Sequence, residues 1–172
     1  MKSVIAALAP ACALALAGAP GAVLAAPGAG AEGDYGPRHF GSTWSVVAVD
    51  AATGDVGVAA ATCLSYDNSA LAVLVPGQGA ASVQANFDRD NRDAVLERLQ
   101  MGHRANDILA ELTHPEYDDR HYWRQYGVVS RHDEEVVTDG FSGVGISEWA
   151  GRVDSAEHGV TVQGNFLESE AV

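Results

Sequence analysis

The stretch TWSVVAVDAATGDVGVAAA, residues 43–61, decides the fold of this chain. Residues 44–49 form a short run of mostly apolar, β-branched side chains, and residues 56–61 form a second apolar run. Between them, residues 51–54 (AATG) are typical of a turn. Two such runs joined by a short loop that contains glycine predict a β-hairpin at the start of the domain.

Beyond this hairpin, the pattern predicts two further strands, then two helices, then a second hairpin and a last strand. Strands grouped before and after a block of helices favour an α+β fold, in which sheets are antiparallel and helices cover a sheet face. The predicted strands are residues 71–75, 80–87, 126–130, 135–138 and 159–166, and the predicted helices are residues 88–100 and 106–112.

The first 26 residues predict a secretory signal peptide. One cation, Lys2, precedes a stretch rich in Ala, Leu and Val that closes on the small residues Ala25 and Ala26. A membrane anchor is the alternative, but Pro10 and Pro20 make a poor spanning helix. Residues 27–42, rich in Gly, Ala and Pro, predict a linker or a removable pro-segment, and residues 43–172 predict one domain. We therefore expect a secreted or periplasmic protein.

The charge of the chain argues against anionic partners. Its 172 residues carry 23 acidic and 10 basic side chains, a formal net charge of -13, and Lys2 is the one lysine. Binding to nucleic-acid backbones or to anionic lipid depends on clustered cations. We expect neither a nucleic-acid partner nor, after signal cleavage, a membrane partner.

No motif predicts a metal or a cofactor. The densest group of possible ligands has no pair at the helical spacing of a zinc site, and Pro115 interrupts it, so we expect an acidic surface loop. Its members are His114, Glu116, Asp118, Asp119 and His121. Cys63 ends an apolar run, which predicts a small buried side chain rather than a nucleophile.

Ser42 and Thr43 open the first strand, directly after the segment predicted to be removable. A threonine hydroxyl needs a base to become a nucleophile. A free α-amine on the same residue, with an ordinary pKa of about 7.7–8.0, can be that base. Thr43 is therefore a candidate nucleophile. The alternative is that both hydroxyl residues simply begin a strand.

A set of short motifs follows in order along the domain and resembles an uncharacterised bacterial family grouped with the N-terminal-nucleophile (Ntn) hydrolases. Members of that family usually continue past the last of these motifs with a further helix and strand, so the resemblance also implies a chain shortened at its C-terminus. The motifs are TWSVVA (43–48), VGVA (56–59), VP (75–76), GQG (77–79), VQA (83–85), RQYGVV (124–129), WAG (149–151) and VQGN (162–165).

The resemblance implies a four-layer αββα sandwich, two antiparallel sheets between helices, with Thr43 as nucleophile and its freed amine as base. It also implies that Gln84, Gln163 and Asn165 bind substrate or donate hydrogen bonds to a tetrahedral oxyanion. Hydrogen bonding at strand ends is the alternative for these three residues.

Together these features predict an exported hydrolase, an amidohydrolase or peptidase of small amide or peptide substrates that needs no cofactor. The alternative is a non-catalytic exported binding module on the same scaffold, since fold does not fix activity. Sheet edges left exposed by a shortened chain would favour a homo-oligomer.

Overall fold

A computed structural model describes residues 41–65, 67–146 and 149–169. The predicted signal peptide lies outside the described residues, as does the predicted linker up to residue 40. The strands are β1 Thr43–Val49, β2 Val56–Thr62, β3 Ala72–Val75, β4 Gly79–Ala85, β5 Arg124–His132, β6 Glu135–Ser142, β7 Trp149–Ser155 and β8 Val160–Leu167, and the helices are α1 Arg89–Gln100 and α2 Ala105–Leu112.

The strands form two antiparallel four-stranded sheets. The first sheet has the order β2-β1-β8-β7 and the second has the order β3-β4-β5-β6. The sheets face each other, with β1 against β4 and β5, and β8 against β5 and β6. We call the space between them the inter-sheet layer. The predicted α+β class with antiparallel pairing is confirmed.

Two helices pack on the outer face of the second sheet, α1 on β3 and β4, and α2 on β5 and β6. The carboxylate of Asp88 accepts hydrogen bonds from the N–H groups of Asp90 and Asn91. These bonds satisfy two of the free donors of the first turn, so α1 begins at Arg89. The buried apolar residues between helices and sheet, which we call the helix-side core, include Val73, Val83, Val95, Leu99, Ile108, Leu112, Tyr126 and Val128.

The outer face of the first sheet, which we call the open face, is not covered by a helix of the described chain. Trp44 is 44% exposed, Val162 37% and Val153 71%. The resemblance implies helices on the outer faces of both sheets. Within the described residues, α1 and α2 cover the outer face of the second sheet, and no helix covers that of the first. In the part of the chain described, no helix is long and apolar enough to span a membrane.

Three details differ from the sequence predictions. Strand β7 was not predicted, because charged Arg152 and Asp154 interrupt its apolar pattern. Cys63 was predicted to be buried, but it is exposed, since β2 ends at Thr62 and Cys63 lies in the turn that follows. Asp118 was predicted to lie in a surface loop, but it is buried, where it forms an ion pair with Arg124.

Candidate functional site

Thr43 is the first residue of β1, a central strand of the first sheet. In the strand register it lies opposite Thr62 of β2 on one side and Asn165 of β8 on the other. The residue is 3% exposed, and its Oγ1 lies 2.8 Å from Thr62 Oγ1. The candidate nucleophile is therefore held in one place by two neighbouring strands.

The peptide group before Thr43 is held as firmly as the side chain. The Ser42 carbonyl oxygen accepts hydrogen bonds from the Cys63 N–H at 3.0 Å and from Thr62 Oγ1 at 3.1 Å. Because the single hydroxyl proton of Thr62 is directed to that carbonyl, Thr43 is the donor in the bond between the two threonines. Thr62 thus contacts both the candidate nucleophile and the carbonyl that precedes it.

An open cavity of about 650 Å³ lies next to this peptide group and is lined by Ser42, Trp149, Phe166 and Glu168. The Ser42 hydroxyl donates a hydrogen bond to the Phe166 carbonyl oxygen at 2.7 Å, which joins the start of β1 to the end of β8. Phe166 has a φ of 51°, a left-handed conformation that costs a non-glycine residue free energy. A small molecule in this cavity would lie beside the Ser42–Thr43 bond.

The inter-sheet layer next to Thr43 is polar. Ser45 Oγ donates to Gln84 Oε1 at 2.7 Å and accepts from Gln163 Nε2. Gln84 Nε2 and Asn165 Nδ2 both donate to Gln125 Oε1, at 2.7 Å and 2.8 Å. These five side chains are fully buried or nearly so, and we call them the amide network.

The structure thus brings together all three residues that were predicted to bind substrate or an oxyanion. Gln84 and Gln163 share Ser45 as a partner, and Asn165 lies directly opposite Thr43. None of the three is among the residues that line the 650 Å³ cavity. Their role toward a substrate stays a prediction.

Gln125 is the residue that sequence reasoning missed. Its Nε2 donates to the Gly164 carbonyl oxygen at 2.7 Å and to Ser142 Oγ at 2.8 Å, while its Oε1 accepts from two other amides. The signal in the sequence was a glutamine in RQYGVV, directly before the mostly apolar run 126–129 that contains Gly127. A Cβ atom at Gly127 would lie 2.0 Å from Gln163 Oε1, so the glycine makes room for the network.

One acceptor of the amide network is unused. Asn165 Oδ1 is buried and has no hydrogen-bond partner within the described structure. Residues directly opposite on antiparallel strands have Cβ atoms about 5 Å apart, so this oxygen belongs to the immediate surroundings of Thr43. An unpaired buried acceptor is costly, about 1–3 kcal/mol, and therefore suits a donor that arrives later.

Three buried ionisable residues, Asp118, Arg124 and Tyr126, lie away from Thr43, on the helix side of the second sheet. Burial opposes ionisation of Asp118, but hydrogen bonds from Arg124, the Arg120 backbone and Asn91 outweigh it and hold the pKa of Asp118 below its ordinary value. Burial raises the pKa of Tyr126, whose hydroxyl accepts a hydrogen bond from Asn91 Nδ2. Within the described ranges, no three His, Cys, Asp or Glu side chains are placed to hold a metal ion.

The fold and the site define an α+β sandwich of two antiparallel sheets, with a buried threonine at the head of a central strand beside an open cavity. A family of unknown function, DUF1028, matches residues 43–172, and the chain belongs to this family. The match begins at Thr43 itself.

A crystal structure of a DUF1028 protein from Silicibacter pomeroyi is similar to this chain. The TM-score is 0.65 and the identity 23%, and the similarity covers 76% of this chain and 55% of that one. At this identity the similarity establishes the fold alone, and this chain spans about half the length of that relative. A search of curated proteins found no match.

Proposed function

We propose that this chain is an exported N-terminal-nucleophile amide hydrolase in which Thr43 Oγ1 is the nucleophile. The observation that carries the proposal is the shared contact at Thr62, whose hydroxyl binds both Thr43 Oγ1 and the Ser42 carbonyl oxygen. The proposal includes the four-layer αββα arrangement of the Ntn hydrolases.

The first step of the proposal is a cut between Ser42 and Thr43. Thr43 Oγ1 attacks the Ser42 carbonyl carbon, and the charge that develops on the carbonyl oxygen is stabilised by the Cys63 N–H and the Thr62 hydroxyl. The hydroxyl proton passes to the Thr43 nitrogen as the C–N bond breaks, which leaves an ester. Water then hydrolyses the ester to a Ser42 carboxylate and a free Thr43 amine.

The second step is turnover of a substrate. The free amine accepts the proton of Thr43 Oγ1 as the oxygen attacks a substrate amide, and it returns that proton to the leaving amine. Water then hydrolyses the acyl-enzyme. Asn165 Oδ1, the unused acceptor opposite Thr43, would bind one proton of the new amine and fix its orientation.

The cavity beside the cut indicates the class of substrate. Two aromatic residues, Trp149 and Phe166, and one carboxylate, that of Glu168, line it together with Ser42. A mixed lining whose one charged group is an acid favours a small amide that is neutral or cationic, and the net charge of -13 disfavours anions in the same way.

The experiment is intact-mass measurement and N-terminal sequencing of the purified chain and of three variants. We expect the parent chain to begin at Thr43, and Thr43→Ala to stay uncut and to lose amidase activity by about a thousandfold or more. Thr62→Val removes the shared hydroxyl at nearly constant volume and should slow the cut. Thr53→Ala, in the exposed turn between β1 and β2, is the control and should be cut as the parent is.

The pH profile tests the base. If the Thr43 amine accepts the proton, kcat/KM should rise with pH through about 7.7–8.0, the ordinary range of an α-amine. A parent chain that keeps Thr43 linked to Ser42 and hydrolyses no amide would overturn the proposal.

A second function, a non-catalytic binding module, is favoured by one observation. Gln84 and Gln163 use their polar atoms on Ser45 and Gln125 within the amide network rather than facing the cavity. The same mass measurement separates the two functions, since a binding module has no need of the cut.

A further inference from the structure

The chain itself contains an amide bond that Thr43 can attack, the one that joins it to Ser42. In the proposed cut, the ester that forms links a seryl group to Thr43 Oγ1. An external seryl amide would give the same ester, and its carbonyl oxygen would meet the same two donors, the Cys63 N–H and the Thr62 hydroxyl. The surroundings of Ser42 in the uncut chain are therefore those that the acyl group of such a substrate would meet.

The side chain of Ser42, a half-buried residue, is held by a hydrogen bond. Its Oγ donates to the Phe166 carbonyl oxygen at 2.7 Å, the ordinary length for a hydroxyl donor. Phe166 is 6% exposed, and its φ of 51° places it in the left-handed region. Non-glycine residues keep such a conformation where the surrounding structure holds it, and they concentrate at active sites and ligand clamps. The site therefore presents an acceptor to a hydroxyl on the β-carbon of the acyl group.

The residue before Ser42 has little room for a side chain. A Cβ atom at Gly41 would lie 2.8 Å from Leu64 Cγ and 3.3 Å from the Leu64 backbone nitrogen. That nitrogen is itself held in place, because it donates a hydrogen bond to Thr62 Oγ1 at 3.3 Å. The turn that carries the Cys63 N–H thus also limits which residue can precede the attacked carbonyl, and glycine fits there.

We infer, on the basis of the proposed function, that the substrates of this site are seryl amides in which glycine precedes the serine. Thr43 Oγ1 forms an ester with the serine carbonyl carbon as the C–N bond breaks, and the hydroxyl proton passes by way of the Thr43 amine to the leaving amine. Water then restores the Thr43 hydroxyl and releases a peptide that ends in a serine carboxylate. The Phe166 carbonyl oxygen selects the serine hydroxyl, and Leu64 selects the glycine. The open cavity of about 650 Å³ beside Ser42 gives the substrate access.

Hydrolysis of matched p-nitroanilides by the purified chain tests the inference, with acetyl-Gly-Ser, acetyl-Gly-Ala and acetyl-Ala-Ser as the acyl groups. We expect kcat/KM for acetyl-Gly-Ser to exceed that for acetyl-Gly-Ala by about tenfold or more, because alanine cannot donate to the Phe166 carbonyl oxygen. It should exceed that for acetyl-Ala-Ser by about tenfold, because the added Cβ meets Leu64. Release of p-nitroaniline measures each rate.

Variants connect these preferences to the contacts. Leu64→Ala should bring acetyl-Gly-Ser and acetyl-Ala-Ser within about threefold of each other and should keep the preference for serine over alanine. Met101→Ala, at an exposed position just after α1, is the control and should keep both preferences. Ser42→Ala should slow the cut by about fivefold or more, because it removes the hydrogen bond to Phe166. Far-UV circular dichroism of each variant establishes that it is folded.

The outcomes distinguish this inference from the proposed function. A chain that stays uncut and hydrolyses none of these amides overturns both. A chain that is cut before Thr43 but hydrolyses acetyl-Gly-Ser no faster than the other two amides, or hydrolyses none of them, keeps the proposed nucleophile and overturns the inference. A folded Leu64→Ala chain that still rejects acetyl-Ala-Ser would overturn the selection of glycine by Leu64.

Discussion

The second sheet separates two layers of different chemistry. On its outer side, the helix-side core buries large apolar residues such as Leu99, Ile108 and Leu112. On its inner side, the half of the inter-sheet layer near Thr43 is filled by the neutral amides and hydroxyl of the amide network. Burying a large apolar side chain contributes about 1.5–3 kcal/mol, whereas a buried hydrogen bond contributes about 1 kcal/mol net. The difference indicates that the helix-side core supplies most of the stability and that the amide network fixes the geometry around Thr43.

The largest effect is expected in the helix-side core. Leu112→Ala should lower the free energy of unfolding by about 3 kcal/mol, because it removes a fully buried side chain and leaves a cavity beneath α2. Urea denaturation followed by circular dichroism measures the change. Met101→Ala, at an exposed apolar position just after α1, is the control and should change stability by less than about 0.5 kcal/mol. Equal losses for the two variants would contradict the assignment of stability to this core.

A smaller effect is expected where the two sheets meet. Gly127→Ala places a Cβ against the buried, hydrogen-bonded Gln163 side chain and should cost about 2 kcal/mol by overpacking. Gly57→Ala is the matched control, because a Cβ at Gly57 meets nothing within 4 Å on the open face. Thermal unfolding at low protein concentration compares the two. If Gly127→Ala were as stable as Gly57→Ala, the amide network would be looser than its hydrogen bonds indicate.

The smallest expected effect is a change in how the free energy of unfolding depends on pH. It involves a charged group on the helix side of the second sheet, whereas the amide network is neutral. The pKa of Asp118 is lowered in the folded chain, because the hydrogen bonds from Arg124, Arg120 and Asn91 outweigh the effect of burial. A lowered pKa contributes stability that is present above the unfolded value of about 3.9 and is lost as the pH falls through the folded value. The amide network has no titrating group and adds no slope of its own in this range.

Urea denaturation at a series of pH values between about 6 and 3 measures that slope. Asp118→Asn should flatten it, while Asp119→Asn, at the exposed neighbouring position, should leave it unchanged. An unchanged slope in Asp118→Asn would show that the Asp118–Arg124 pair does not govern the acid sensitivity of the helix side.

Much of the fold could be predicted from local patterns. The apolar runs at 44–49 and 56–61 gave β1 and β2 to within a residue, and the predicted helix at 88–100 differs from α1 only in that Asp88 is its cap. Strand β7 could not be predicted, because Arg152 and Asp154 are satisfied by partners on β6 and β8 that no local pattern shows.

The candidate site could be predicted only in part. The position of Thr43 at the head of a strand followed from the apolar run behind it, and the ordered motifs drew attention to Gln84, Gln163 and Asn165. The contacts of Thr62 and the central position of Gln125 could not be predicted. The Thr43–Thr62 contact depends on the register of strands 19 positions apart, and Gln125 receives hydrogen bonds from residues 40 and 41 positions away, one of them across the two sheets. The dual contact at Thr62 and the unused Asn165 oxygen are properties of the assembled sheets.

The close fit of Gly127 against Gln163 also constrains how this family can change over time. Because a methyl group at position 127 would occupy the space of the Gln163 amide, neither position can accept a larger residue while the other stays as it is. Relatives that replace the glycine should therefore carry a shorter residue opposite it, so that the two positions vary as a pair across the lineage. A collection of homologous sequences in which they drift independently would mean that the two sheets sit farther apart in those proteins.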